Sequence, residues 1–306
     1  MATKALFNTV VNWFIKQRID QIQNFMDHPI ETQNGVLFSQ LYYAENTDYG
    51  KIHGFSSISS YKDFTQNVPI VTYEDFEPYI EQARQGQRDV FWPGLVKNFA
   101  KSSGTTNAKS KFIPITDESL ELCHMKAGKD LISIYANNHP ENQLFTNKNL
   151  RLGGSADFYE NFNTKFGDLS AILIDNLPFW VEITTTPSKK VSLMSEWETK
   201  LNAIVSEVTN EEVGSLTGVP SWMMVLLQRV LDEKGHDSIS ELWPNLEVFF
   251  HGGISFKPYR EQYKKIIGKD INYYEIYNAS EGFFGIQDQH GSEEMLLMLD
   301  YGIFYE

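Results

Sequence analysis

The sequence predicts an α/β fold in which helices pack around mixed sheets. Three observations lead there. Between about residues 150 and 255, strand-like runs alternate with helical ones, the order that builds a mixed or parallel sheet covered by helices. The chain is 42% hydrophobic and 14% aromatic, enough apolar mass for a core and too much for a disordered chain. Its 306 residues lie near two domains on length alone but also fit one large α/β domain, and no linker, internal repeat or low-complexity tract divides them.

Taken in order, residues 3–26 and about 30–47 read as two amphipathic helices separated at His28-Pro29, where the residue before proline is pushed out of helical geometry. A Gly-, Ser- and aromatic-rich loop follows from Tyr49 to Ser60. Tyr61–Phe64 and Tyr73–Gln85 read as short helices around the extended Val68–Val71. Apolar strands ending near Ala100 and starting from Phe112 enclose a polar stretch, and Thr116–Asn137 is helical. Leu150–Gly153 and Ala171–Ile174 read as strands, and Met194–Val208 as a helix. Pro220 suits a first helical position, with the helix running to Lys234 before Gly235. Leu246–Phe250, Ile271–Tyr277, Phe283–Gln287 and Glu294–Leu299 read as further strands.

Charge and cysteine usage narrow the function. Lys and Arg number 26 against 40 Asp and Glu, a formal net charge of −14. That argues against nucleic acid as a partner, because phosphate backbones need clustered cations; ATP needs only local ones. One cysteine, Cys123, excludes a disulfide framework within the chain and favours a reducing compartment. The N-terminal apolar residues recur at helical spacing and are broken by Asn8, Asn12 and Lys16, unlike a signal peptide, and no apolar run is long enough to span a bilayer. The expectation is a cytoplasmic protein with no membrane partner.

Three segments carry chemistry. In Lys101–Pro114, Ser102, Ser103, Gly104, Thr105 and Thr106 combine hydroxyls with a glycine that permits a tight turn, and Lys109 and Lys111 follow. Converging backbone N–H groups, hydroxyls and cations suit an anion, although such runs also occur as plain surface loops. It is not a Walker loop, since no Gly-x-x-x-x-Gly-Lys-Ser/Thr occurs. In the second segment, a strand delivers Tyr277, followed by Asn278, Ala279, Ser280, Glu281 and Gly282. Tyr277 can stack on a purine, Ser280 can donate to phosphate and Glu281 can hold Mg²⁺; alone, the segment reads as a hairpin with a polar turn. In the third, Gly252 and Gly253 follow a buried strand and allow a flat ligand to approach backbone, or simply form a strand-to-helix turn. His251 reads as structural. Hydrolase, dinucleotide, zinc-protease and Cys-x-x-Cys signatures are absent from the sequence.

The order of these segments is similar to the nucleotide site of the adenylate-forming enzymes. In detail the chain resembles the auxin-responsive acyl acid amido synthetase family (Gretchen Hagen type) and its bacterial relatives. Ser102–Pro114 and Tyr277–Gly285 carry that likeness, with further similar stretches at Thr47–Gly54, Val68–Ile80, Gly167–Trp180, Leu216–Leu227 and Asp300–Glu306. The resemblance implies the large adenylation domain of the acyl-adenylate-forming fold. It implies ATP-dependent activation of a carboxylic acid as an acyl-adenylate, then transfer to an amine, expected to be an amino acid. Carried over, Ser102–Thr106 would cradle the triphosphate and Lys111 would close that loop. Gly252, Gly253 and Tyr277 would frame the adenine, Ser280 would contact phosphate and Glu281 would bind Mg²⁺. Asn107–Ser110 departs from the family by lacking a second glycine. Trp222, Met223 and Leu226 are expected to line part of the acyl pocket, or to be plain core at the same helical spacing. A coenzyme A ligase sharing the first half-reaction, a nucleotide-binding module without turnover and a structural domain with a vestigial site are the alternatives. The chain is expected to be an adenylation domain over residues 1–306, truncated before the family's smaller C-terminal domain and inactive alone, because its apolar end stops in what reads as a strand.

Overall fold

The computed structural model describes residues 2–102, 110–154 and 158–306. In chain order the strands are β1 (Asn98–Ser102), β2 (Lys111–Ile115), β3 (Lys148–Arg151), β4 (Tyr159–Asn161), β5 (Thr164–Gly167), β6 (Thr185–Thr186), β7 (Val213–Gly218), β8 (Val248–Gly252), β9 (Asn272–Ala279), β10 (Gly282–Ile286) and β11 (Leu296–Leu297). They form two mixed sheets. The larger has the order β11-β10-β9-β8-β7-β3-β6, and the smaller β2-β1-β5-β4. From β6 to β9 the pairs of the larger sheet are parallel, and β9-β10-β11 is antiparallel.

The period-2 alternation of β8 assigns the layers. Phe249 faces one side, where it packs with Leu216 and Leu150 against helices Trp197–Val208, Pro220–Lys234 and Arg260–Ile267. Val248 and Phe250 face the other, against Ile22 and Phe25 of the Ala2–Asp27 helix and Leu131, Ile134 and Tyr135 of the Lys126–Asn138 helix. The smaller sheet has its own core around stacked Phe99 and Phe166, 5.4 Å between centroids.

Several sequence expectations hold closely. Helices Ala2–Asp27 and Pro29–Ala44 are parted at His28. Pro220 is the first residue of its helix, and Gly235 ends it in the left-handed conformation at φ +67°. Others are corrected. Ala171–Ile174 lies in a helix, Leu169–Asp175, not a strand; its buried residues are Ala171, Ile172 and Ile174, a helical face, and a four-residue apolar run does not distinguish the two. The Tyr49–Ser60 loop contains a short helix, Asp48–Ile52, capped by Thr47, whose Oγ1 accepts from the Gly50 N–H at 3.0 Å. Residues 301–306 are not a strand but a loop held to the Pro29–Ala44 helix through Gln33, whose amide donates to the carbonyls of Leu299 and Ile303 and accepts from the Tyr305 N–H. The hairpin β4–β5 was not foreseen. Among the described residues no helix is long and apolar enough to cross a membrane.

A charged network fastens the first helix to this frame. The Arg18 guanidinium donates to both Asp130 oxygens at 2.7 Å and to Asp300 at 2.6 and 2.9 Å. Lys126 Nζ reaches Asp300 at 2.9 Å, and the Tyr301 hydroxyl donates to Asp130 at 2.7 Å. Burial alone would raise the Asp300 pKa, but hydrogen bonds and charge from Arg18 and Lys126 outweigh it and leave the carboxyl below its usual range. That contribution to stability is therefore present above the unfolded value near 4 and is lost as pH falls through the folded one. Replacing Arg18 with Met leaves two carboxylates without their shared cation, and urea melts should show a loss of about 3–5 kcal/mol.

Candidate functional site

The parallel strands β3, β7, β8 and β9 end along one edge of the larger sheet. Their register sets Arg151 opposite Thr217, Gly218 opposite His251 and Gly252 opposite Ile276. In open α/β sheets this carboxyl edge is where ligands bind. Gly252 is required by the sheet itself: a Cβ there would lie 2.5 Å from the Ile276 carbonyl oxygen. Gly253 turns away at φ +83°, against Val219 at the start of the Pro220–Lys234 helix.

Strand β9 continues past this point to Tyr277, and Ser280 and Glu281 form the two-residue turn into β10, where Gly282 pairs with Ala279. Tyr277 is 59% exposed, so one ring face is open for stacking, while Phe284 packs on it at 5.1 Å. A shallow apolar hollow beside it is lined by Tyr277, Phe284, Gly285, Met295, Leu297 and Tyr305. Glu281 is exposed at the tip and takes part in no ion pair among the described residues. The hairpin is pinned from behind by Cys123, whose Sγ accepts the Phe283 N–H at 3.2 Å. Burial raises that thiol's pKa, as expected of a structural cysteine rather than a nucleophile.

The structure thus brings Gly252, Gly253, Tyr277, Ser280 and Glu281 to one edge. Ser102 and Lys111 lie on the smaller sheet, paired across the mouth of the β1–β2 hairpin. Lys111 Nζ is 3.5 Å from Glu74 and 4.7 Å from the Tyr73 ring centroid. Ser103, Gly104, Thr105 and Thr106 lie outside the described residues. Of the expected acyl-pocket residues, Met223 and Leu226 are fully buried in the core, while Trp222 is 52% exposed and packs edge-on against Trp197 at 4.7 Å. Trp222 is therefore the one of the three that offers surface to a ligand.

Sequence reasoning missed several groups near this edge. Gly153 and Gly154 come just after β3, much as Gly252 ends β8 and Gly253 follows it, and the repeated Leu-Gly-Gly and His-Gly-Gly strand ends are a readable signal. Arg151, at the end of β3, has a buried Nε with no hydrogen-bond partner among the described residues; burial pushes its pKa down to about 10 against the opposing Glu182. His124 lies in the π-helical segment Leu120–Met125, a geometry frequent at functional sites. It is buried, its Nδ1 has no described partner, and desolvation lowers its pKa to about 4, so the ring is neutral. His251, by contrast, reads as structural in the sequence and is so placed: it is buried and neutral, stacked on Phe256 at 4.2 Å, with its pKa lowered by burial to about 3.

The same architecture occurs in solved structures. The architecture matches a solved structure described as AtGH3.15 acyl acid amido synthetase in complex with 2,4-DB, with a TM-score of 0.74 and 16% identity, over 90% of this chain and 57% of that one. It also matches a 2-hydroxyisobutyryl-CoA ligase with a TM-score of 0.52 and 14% identity, over 83% of this chain and 50% of that one. The class is therefore the large-domain fold that these two ligases share. Within it, the profile of the GH3 family N-terminal domain matches residues 18–271, and the chain belongs to the GH3 family. The jasmonoyl–L-amino acid synthetase JAR6 of Nicotiana attenuata is 31% identical over 104 residues, which is 34% of this chain and 18% of that protein. The chain spans about half the length of the GH3.15 structure it matches.

The reason for glycine at 252 is testable. Gly252→Ala forces a Cβ onto the Ile276 carbonyl and should destabilise the fold by about 1–3 kcal/mol or more in chemical denaturation. Gly35→Ala, in an exposed helical position with nothing within 4 Å, should instead stabilise by about 0.5–1 kcal/mol.

Proposed function

We propose that this chain is the adenylating domain of an acyl acid amido synthetase, activating a carboxylic acid with ATP and passing the acyl group to an amine, an amino acid in the simplest reading. The observation that carries the proposal is the GH3 family match over residues 18–271. The Tyr277–Glu281 hairpin lies beyond the matched range but on the same sheet edge as Gly252 and Gly253, and that placement supports a nucleotide there.

In this reading Tyr277 and the Gly252–Gly253 turn frame the adenine. Ser102–Thr106, Lys111 and Ser280 hold the phosphates, and Trp222 borders the acyl group. Among the described residues no three His, Cys, Asp or Glu side chains are grouped to hold a metal. Mg²⁺ is commonly bound by one or two carboxylates, with the rest of its shell from phosphates and water. Glu281, exposed and outside any described ion pair, is the carboxylate that would hold it, and the ion would neutralise phosphate charge. The substrate carboxylate attacks the α-phosphorus, the bond to pyrophosphate breaks and an acyl-adenylate forms. The amine then attacks the acyl carbon and AMP leaves. The protein's part is orientation and charge stabilisation, not covalent chemistry. A cytoplasmic location belongs to the same proposal, supported by a single cysteine that is buried and unpaired.

ATP–pyrophosphate exchange over a panel of carboxylic acids, with the natural full-length protein, should identify at least one acid that drives exchange. Absence of exchange with ATP binding intact would replace this reading with a nucleotide-binding module. Amino acids and coenzyme A offered separately as acceptors should release AMP only with the amino acids. Glu281→Ala should weaken Mg²⁺-dependent ATP binding in calorimetry by about tenfold or more; unchanged affinity would remove Glu281 from the site.

A further inference from the structure

We infer that Lys200 is a positioning residue for the acid-binding half of this site, acting through the Gly153–Gly154 turn at the end of β3. The inference rests on the adenylation reading above and extends it to a residue which that reading does not use.

Lys200 is 1% exposed, a rare state for a lysine without a purpose. It lies in the Trp197–Val208 helix on the same stripe as Ile204 and Val208, both fully buried. Its ammonium runs to the sheet edge and donates to the carbonyl oxygens of Gly154 at 2.6 Å and Gly153 at 3.2 Å. The turn is gripped from its other side as well: the Gly154 N–H donates to Ser170 Oγ at 2.9 Å, and Gly153 packs against Ile174. Burial lowers the Lys200 pKa, and the Asp168 carboxylate opposes this by favouring the charged form. A lysine buried only for packing would be replaceable by Met. This one is built into a polar socket that fixes two successive peptide groups.

The location decides which half of the reaction it serves. Strand β3 is two places from β8 in the sheet, so the Gly153–Gly154 turn lies roughly 10 Å from the Gly252–Gly253 turn. The β7 end and the Pro220–Lys234 helix that follows it stand between, next to β3. Trp222 packs on Trp197, one helical turn before Lys200. The turn fixed by Lys200 therefore borders the acid rather than the adenine, and its charge adds positive potential there in a chain of net charge −14.

The test uses the natural full-length protein and an acid that drives pyrophosphate exchange in it; a wild-type protein that exchanges with no acid defeats the parent reading, not this one. Lys200→Met removes charge and donors, Lys200→Gln keeps donors without charge, and Lys200→Arg keeps both. In Lys200→Met the KM for the acid should rise by about tenfold or more, with the KM for ATP changed less than about threefold, and Lys200→Arg should recover most of the loss. If Lys200→Met does not fold, as judged by thermal melting, Lys200→Gln is read in its place and should show the same split to a smaller degree. Folded variants in which neither KM moves, or both rise together, overturn the assignment.

Discussion

Strand β8 has no face left for water. Val248, Phe249 and Phe250 are 0–2% exposed, and helices cover them from both sides. Burying both faces of a strand demands that every backbone group be paired laterally, and the parallel partners β7 and β9 do this. Once β8 is fixed, the ends of its neighbours are fixed too. The edge carrying Gly253, Gly218, Tyr277 and the hairpin turn is thus a consequence of core packing rather than a separate construction. The chemistry proposed for it can rely on backbone positions set by hydrophobic burial.

The two faces of the sheet are used differently. One carries a largely apolar interior in which Lys200 and the neutral His251 are the buried basic exceptions among the described residues. The other is closed by the first helix, and there the apolar contacts of Ile22 and Phe25 are joined to the paired charges of Arg18, Asp130, Lys126 and Asp300. Buried ion pairs add little net stability compared with apolar packing, but they penalise misplacement severely. Here they tie three segments far apart in sequence to one register.

The α/β character and most helix boundaries were legible in the sequence because caps and breakers speak locally: Pro220 and Gly235 bracket one helix, and Pro29 starts another. Ala171–Ile174 reads as a strand because an apolar run of four satisfies both periods, and only its packing against β1 and the Gly153 turn decides for helix. At the site, glycines and the Ser280-Glu281 turn could be read as local motifs. Lys200, Arg151 and His124 could not, since their significance is burial, and burial is decided by partners more than 20 residues away, such as Gly153 and Gly154 for Lys200. A lysine in line with Ile204 and Val208 was nevertheless a visible breach of the helix's apolar stripe.

Cys123 gives the protein a built-in clock. Its thiol is buried, accepts the Phe283 N–H, and has its pKa raised by that burial, so in the closed state it is shielded from alkylating reagents and is a poor thiolate. Reaction requires a local opening that frees the thiol from β10, the strand that carries one side of the Tyr277 hollow. With one cysteine in 306 residues, the rate of thiol labelling reads how often this region opens, with no background from other thiols in the chain.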